Sequence, residues 1–172
     1  MTNEQKQSFF MAVANHEGFR SSAYYCPAGK LTIGFGHRIT DDERQRLSCA
    51  KLTFKQAYDL LVSDFDKVFA FLAKQHFILQ EYELFAIADL CFNVGCTVLS
   101  SRPIWKLIQE YSFALDRNQH MEADRLRNVI AERITHYVHY KRNGKTYTSN
   151  GLITRRNFDS RLFLGDLYIL KS

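Results

Sequence analysis

The segment YELFAIADLCFNVG, residues 82 to 95, is apolar nearly all the way round a helix and stops at a glycine. A helix without a polar face must be enclosed by other elements, so this segment predicts the central member of a helical bundle. The rest of the chain supplies its neighbours. Phe9, Phe10, Val13 and Ala14 share one face of a helix over about 3–17, which Gly18 stops. Thr53 and Gln56 have the spacing of a capping box, and from Ala57 through Leu61, Phe65 and Val68 to Leu72 the apolar residues keep helical period to about residue 74. Pro103 opens a further helix carrying Trp105, another runs from Met121 to about Tyr137, and a last one runs from about Leu152 to Tyr168. Leu152, Phe158, Leu162 and Phe163 are expected to face inward on that last helix. One interval breaks the helical pattern. Residues 22–37 place Tyr24 and Tyr25, the turn residues Pro27 and Gly29, and then Leu31-Thr32-Ile33 with Gly34 and Gly36, which predicts a small hairpin or three-stranded sheet. Asn143-Gly144 marks a second tight turn.

The chain has 172 residues, 46% hydrophobic and 24% charged, which suits one folded domain that buries about 70% of the surface its unfolded form exposes. A net charge of +5 fits an anionic partner such as nucleic acid, a membrane surface or an acidic wall polymer. The basic residues are scattered, apart from Lys141-Arg142 and Arg155-Arg156, and do not alternate with aromatic residues as a base-stacking surface requires, which argues against nucleic acid. The N-terminal stretch is polar, with neither a basic region nor a long apolar run. It predicts a chain without signal peptide or membrane insertion that is cytoplasmic on synthesis. The four cysteines lack paired spacing and are expected to be free, three of them as small buried hydrophobes. Gly34-x-Gly36 without a third glycine does not make a nucleotide loop, and His136 with His139 lacks further ligands at zinc spacing. No cofactor or metal is expected.

Glu17 lies four residues after Val13 and seven after Phe10, so it extends the apolar stripe of the first helix and does not join the solvated face. A carboxyl group there should be partly dehydrated, which favours keeping a proton and suits a general acid. Taken alone, a helix-terminal Glu is more often one half of a salt bridge. The hairpin changes the balance, because it folds Cys26 at its turn and Thr32 on its returning strand back towards the end of the helix.

The run Glu17-Gly18, Tyr24, Cys26, Gly29, Thr32, Ile33, Gly34, Gly36, His37 resembles the phage-type lysozymes and endolysins, glycoside hydrolase family 24. The resemblance continues through Phe92 to Gly95 and Gly151 to Arg156. It implies a single lysozyme-like α+β domain over 1–172, mostly helical, with a small antiparallel β-sheet lobe at about 19–50 and a helical lobe at about 1–18 and 75–172. A long helix over about 53–74 would join them. It also implies a peptidoglycan-degrading muramidase in which Glu17 protonates the bond between N-acetylmuramic acid and N-acetylglucosamine. Cys26, where many members carry Asp, and Thr32 would act on water at the opposite ring face. A thiol with an ordinary pKa of about 8.5 is mostly neutral at pH 7, so base, nucleophile and water holder all stay open for Cys26. By the same resemblance Arg155 reaches Glu17 and His37 pairs with Asp64. Asn93, polar on an otherwise apolar helix, is either a core amide or a wall of the sugar cleft, and Tyr24, beside the cleft, is a candidate substrate contact. The expected partner is bacterial peptidoglycan, reached by a single copy of the chain after release. A catalytically weak wall-binding module would share the fold.

Overall fold

The computed structural model describes residues 2–26, 29–142 and 144–167. Pro27, Asn143 and Tyr168, which figured in the turn and helix-end expectations, lie outside them. Thr2 opens α1 (Asn3–Glu17) with a capping box to Gln5, and Gly18 at φ +73 closes it. The chain then forms a sheet of β1 (Arg20–Tyr25), β2 (Leu31–Gly34) and β3 (His37–Arg38), antiparallel in that order. Tyr24 sits opposite Thr32 in the register. A short helix, α2 (Asp41–Leu47), follows where the sequence reading expected only sheet and loop. Its signal was present in Thr40-x-x-Glu43, a capping box that both residues complete.

The long helix α3 (Phe54–Ala73) starts at the Thr53–Gln56 box as expected. It delivers Phe65 against α1 and against α4 (Glu81–Val94). Phe9 meets the rings of Phe65 and Phe85 edge-on at 5.5 and 4.5 Å, while Phe92 stacks on Phe65 at 4.7 Å. Fully burying side chains of this size contributes about 1.5 to 3 kcal/mol each. Such contacts bind α1, α3 and α4 into one core.

Beyond α4 come α5 (Cys96–Ser100), α6 (Pro103–Asp116), α7 (His120–Thr135), a two-stranded pair β4 (His139–Arg142) with β5 (Lys145–Thr148), and α8 (Asn150–Phe163). The brief α5 was not anticipated, and α7 stops two residues before Tyr137.

Four expectations need correction. The central helix is not apolar all round, since Glu83 and Asp89 are both fully buried within it. Glu83 is satisfied by the Tyr111 hydroxyl at 2.7 Å and the Gln80 N–H at 2.8 Å, with Arg127 at 3.1 Å. Helix α8 ends at Phe163, not Tyr168. The Gly165 N–H bonds the Leu162 carbonyl and the Asp166 N–H bonds the Arg161 carbonyl, both at 2.9 Å. With Gly165 at φ +79 this is a Schellman stop. The inner face of α8 carries Arg155, Arg156 and Asp159 beside Leu162 and Phe163, while Leu152 and Phe158 are only half-buried. Lastly, of the cysteines only Cys91 is a buried hydrophobe; Cys96 is half-buried and Cys49 is exposed.

Candidate active site

Glu17 is the last residue of α1, so its side chain leaves the helix where the sheet begins. It is 19% exposed, the partial dehydration expected of a residue on the apolar stripe. Close approach of β3 depends on one glycine. Gly36 has φ +82, and a Cβ there would stand 2.9 Å from Glu17 Oε2, so both the backbone twist and the contact require the residue without a side chain. The second glycine of Gly34-x-Gly36 thus serves the acid.

A cleft of about 440 Å³ contains Glu17, Tyr24, Cys26, Thr32, Asp64 and Asn93 in its walls. The three candidate catalytic side chains therefore share one cavity, and both candidate sugar contacts border it. The Cys26 N–H bonds the Lys30 carbonyl at 2.9 Å, closing the turn after β1. Thr32 is nearly buried and its hydroxyl donates to that same carbonyl at 3.0 Å, which leaves the oxygen lone pairs as acceptors. Tyr24 lies close enough to feel Glu17 and Cys26, and burial together with those two groups pushes its phenol upward. A larger cavity of about 640 Å³ shares Asn93 with the cleft and is walled by Arg102, Arg133, His136 and Tyr140. It contains none of the three candidate catalytic residues.

Arg155 reaches Glu17 as expected, its Nη1 donating to Oε1. The other side of its fork grips Asp89, Nε at 2.9 Å and Nη2 at 2.7 Å. Burial alone would drive Asp89 up, yet Arg155 and Arg156 hold it well below the usual carboxylate range. Arg156 does not turn to solvent; it is fully buried against Asp89, Asp159 and Asn93. Asp89 and Asp159 went unread in the sequence. The available signal was an acid inside an apolar helix, which must find a buried cation, and the doublet Arg155-Arg156 is the supply.

His37 Nδ1 lies 2.7 Å from Asp64 Oδ2, the pair expected, and its Nε2 lies 3.1 Å from Glu43, a partner the sequence reading missed. The bond to Asp64 is the main reason His37 is pushed above its usual range, against the effect of burial. Burial acts upward on both acids but is outweighed: the Thr40 and His37 bonds hold Glu43 down at about 2, and the His37 and Lys67 bonds hold Asp64 low. The histidine's stabilisation is complete below about 6.5 and fades as the pH rises through its raised folded value; the carboxylates' is complete above about 4 and fades as the pH falls. Asp64→Asn should therefore lower stability by about 1.5 to 3 kcal/mol, or about 3 to 12 °C in melting temperature. The difference from wild type is expected to peak near about pH 5 to 6 and to shrink towards about pH 9. A difference that stays constant across that range would contradict the charged pair.

The family model described as phage lysozyme matches residues 14–159, from the end of α1 to Asp159. The chain belongs to the phage lysozyme family. It is a glycoside hydrolase of the peptidoglycan-degrading muramidase type. An endolysin of Acyrthosiphon pisum secondary endosymbiont phage 1 is 28% identical over 153 residues, which cover 88% of this chain and 91% of that one. Among solved structures, the endolysin from Escherichia coli O157:H7 phage FAHEc1 has a TM-score of 0.70 at 24% identity, with 94% of each chain covered. The muramidase domain of SpmX from Asticaccaulis excentricus also has a TM-score of 0.70, at 22% identity, covering 92% of this chain and 95% of that one. Both support the mostly helical α+β lysozyme-like fold with its small antiparallel sheet. No helix among the described residues is long and apolar enough to cross a membrane.

Proposed function

We propose that this family member cuts the bond between N-acetylmuramic acid and N-acetylglucosamine with Glu17 as general acid, acting as an endolysin on the wall after release from the cell that makes it. The observation that carries this reading is one cleft holding Glu17, Cys26 and Thr32, with the acid gripped at a single oxygen. Arg155 occupies Oε1, and Oε2, beside Gly36, is the oxygen left to carry the proton. Proton transfer from Oε2 to the glycosidic oxygen breaks the bond from that oxygen to the sugar C1 and leaves oxocarbenium-like charge on the ring. Cys26 and Thr32 answer that charge from the opposite wall, with the Thr32 acceptor lone pairs holding the attacking water and Cys26 as its base, its holder or the nucleophile. Tyr24 and Asn93 border the sugar. The chain works as a single lysozyme-like domain and a single copy, without cofactor or nucleic acid.

The test is reducing-end release from purified peptidoglycan, with mass analysis of the fragments. New reducing ends on muramic acid are expected. Cys26→Ser should lower the rate by about 10²-fold or more, and Cys26→Asp should keep most of it, because a carboxylate can do what the thiol does on that face. Full activity in Cys26→Ser would remove Cys26 from the reaction.

A further inference from the structure

Arg155 is a nearly buried cation behind the cleft, and two carboxyls touch it, Glu17 from α1 and Asp89 from α4. Which of them answers its charge decides what Glu17 can do. A carboxyl that serves as sole counter-ion to a buried guanidinium is held ionised, and an ionised Glu17 has no proton to give to a glycosidic oxygen. The geometry hands the charge to the other partner. Asp89 is fully buried and takes the guanidinium along one edge, Nε to Oδ2 at 2.9 Å and Nη2 to Oδ1 at 2.7 Å. Glu17 is 19% exposed and accepts from Nη1 alone. Two parallel bonds set the two charges face to face and fix the plane of the fork, so the direction in which Nη1 points is fixed as well. The second arginine makes no demand on Glu17, since Arg156 Nη2 stands 2.8 Å from the fully buried Asp159. The four sealed groups therefore balance as two cations and two anions before Glu17 is counted.

We infer that Asp89 is a positioning residue for the reaction: by fixing the Arg155 fork and answering its charge, it lets Glu17 be held at Oε1 without being a counter-ion, so that Oε2 can carry the proton that passes to the glycosidic oxygen. No other group facing Glu17 takes over this duty. His16, beside it on α1, is pushed down by burial and is neutral at neutral pH. Tyr24 from β1, and Cys91 and Cys96 from α4 and α5, are pushed up by burial and stay neutral as well. Asp64, across the cleft on α3, is committed to His37 and Lys67. Cys26 borders the cleft just after β1, and Arg38 of β3 adds a cation to its wall, not an anion.

The catalytic consequence rests on the reading of Glu17 as the acid, whereas the charge assignment does not, so the two are measured separately on the full chain. Ionisation of Glu17 is followed by carbon-13 NMR of its side-chain carboxyl, with the resonance assigned through Glu17→Gln. In Asp89→Asn, which keeps the shape and one acceptor but not the charge, the Glu17 midpoint should fall by about one pH unit, a tenfold change in its proton affinity. Kinetics on soluble peptidoglycan fragments should then give a kcat about tenfold lower on the alkaline side of the pH profile and little changed on the acid side, at unchanged KM. Loss of mere support would lower kcat alike at every pH. The double variant Asp89→Asn, Arg155→Gln removes the cation together with its answering anion and leaves Arg156 paired with Asp159, so it tests the assignment even where the single variant does not fold. Its Glu17 midpoint should stay within about half a unit of wild type. A midpoint that does not fall in Asp89→Asn, or one that rises by about a unit or more in the double variant, overturns the assignment, the second by showing Glu17 to be the counter-ion. A midpoint that moves as expected while the pH profile of reducing-end release stays where it was would refute Glu17 as the acid, and the catalytic part of the Asp89 role with it.

Discussion

Glu17→Gln is expected to lower the clearing of permeabilised Gram-negative cells by about 10²- to 10⁴-fold while the fold survives. Glutamine has the size of glutamate, and its amide oxygen can still accept from Arg155 Nη1, so the end of α1 and the approach of Gly36 are retained. What it lacks is a proton acidic enough to pass to a leaving alkoxide. Stability should change little, because Glu17 is partly exposed and Asp89 continues to anchor Arg155 from the other side. A melting temperature within about 5 °C of wild type is the outcome to check beside the activity. Undiminished clearing by this variant would end the proposed mechanism.

Arg155→Leu should produce the largest loss of stability of any single change considered, about 3 to 5 kcal/mol, or about 6 to 20 °C in melting temperature. Leucine fills part of the space but leaves Asp89 fully buried without the two bonds at 2.9 and 2.7 Å that hold it ionised. Arg156, at 3.4 Å and already engaged with Asp159, is poorly placed to replace them. Activity should fall as well, since Glu17 loses the guanidinium that holds its Oε1. Arg155→Lys sharpens the experiment: one ammonium group cannot reproduce a fork that bonds Asp89 twice and Glu17 once, so lysine should recover only part of either loss. A leucine variant that melts within about 2 °C of wild type would mean that the buried network contributes far less than its geometry implies.

Much of the candidate site could be read along the chain because its members are near neighbours. Glu17, Tyr24, Cys26, Thr32, Gly36 and His37 fall within 21 residues, and a helix, a turn and a returning strand bring them together by local geometry alone. Residues far apart were legible only through the family resemblance, which carried Arg155 and Asp64 to their partners. The unread residues were those whose meaning depends on a contact across the fold. Asp89 looked like one polar interruption in an apolar helix, and Asp159 like an ordinary residue of a helix face; each becomes significant only when α4 and α8 meet. Glu43 was hidden for a different reason, since its capping box also serves His37 and local patterns reveal only the first of those roles.

By itself the amino-acid sequence determined where α1 stops and α3 starts, which segment the others must enclose, and which acid stands at the end of an apolar stripe. Those properties depend on caps, periodicity and glycine, all of which act within a few residues. Only the tertiary structure decided how the charges are compensated. Burial strips water from Asp89, Arg155, Arg156 and Asp159 together, and the protonation and partner of each then follow from the other groups sealed in beside it.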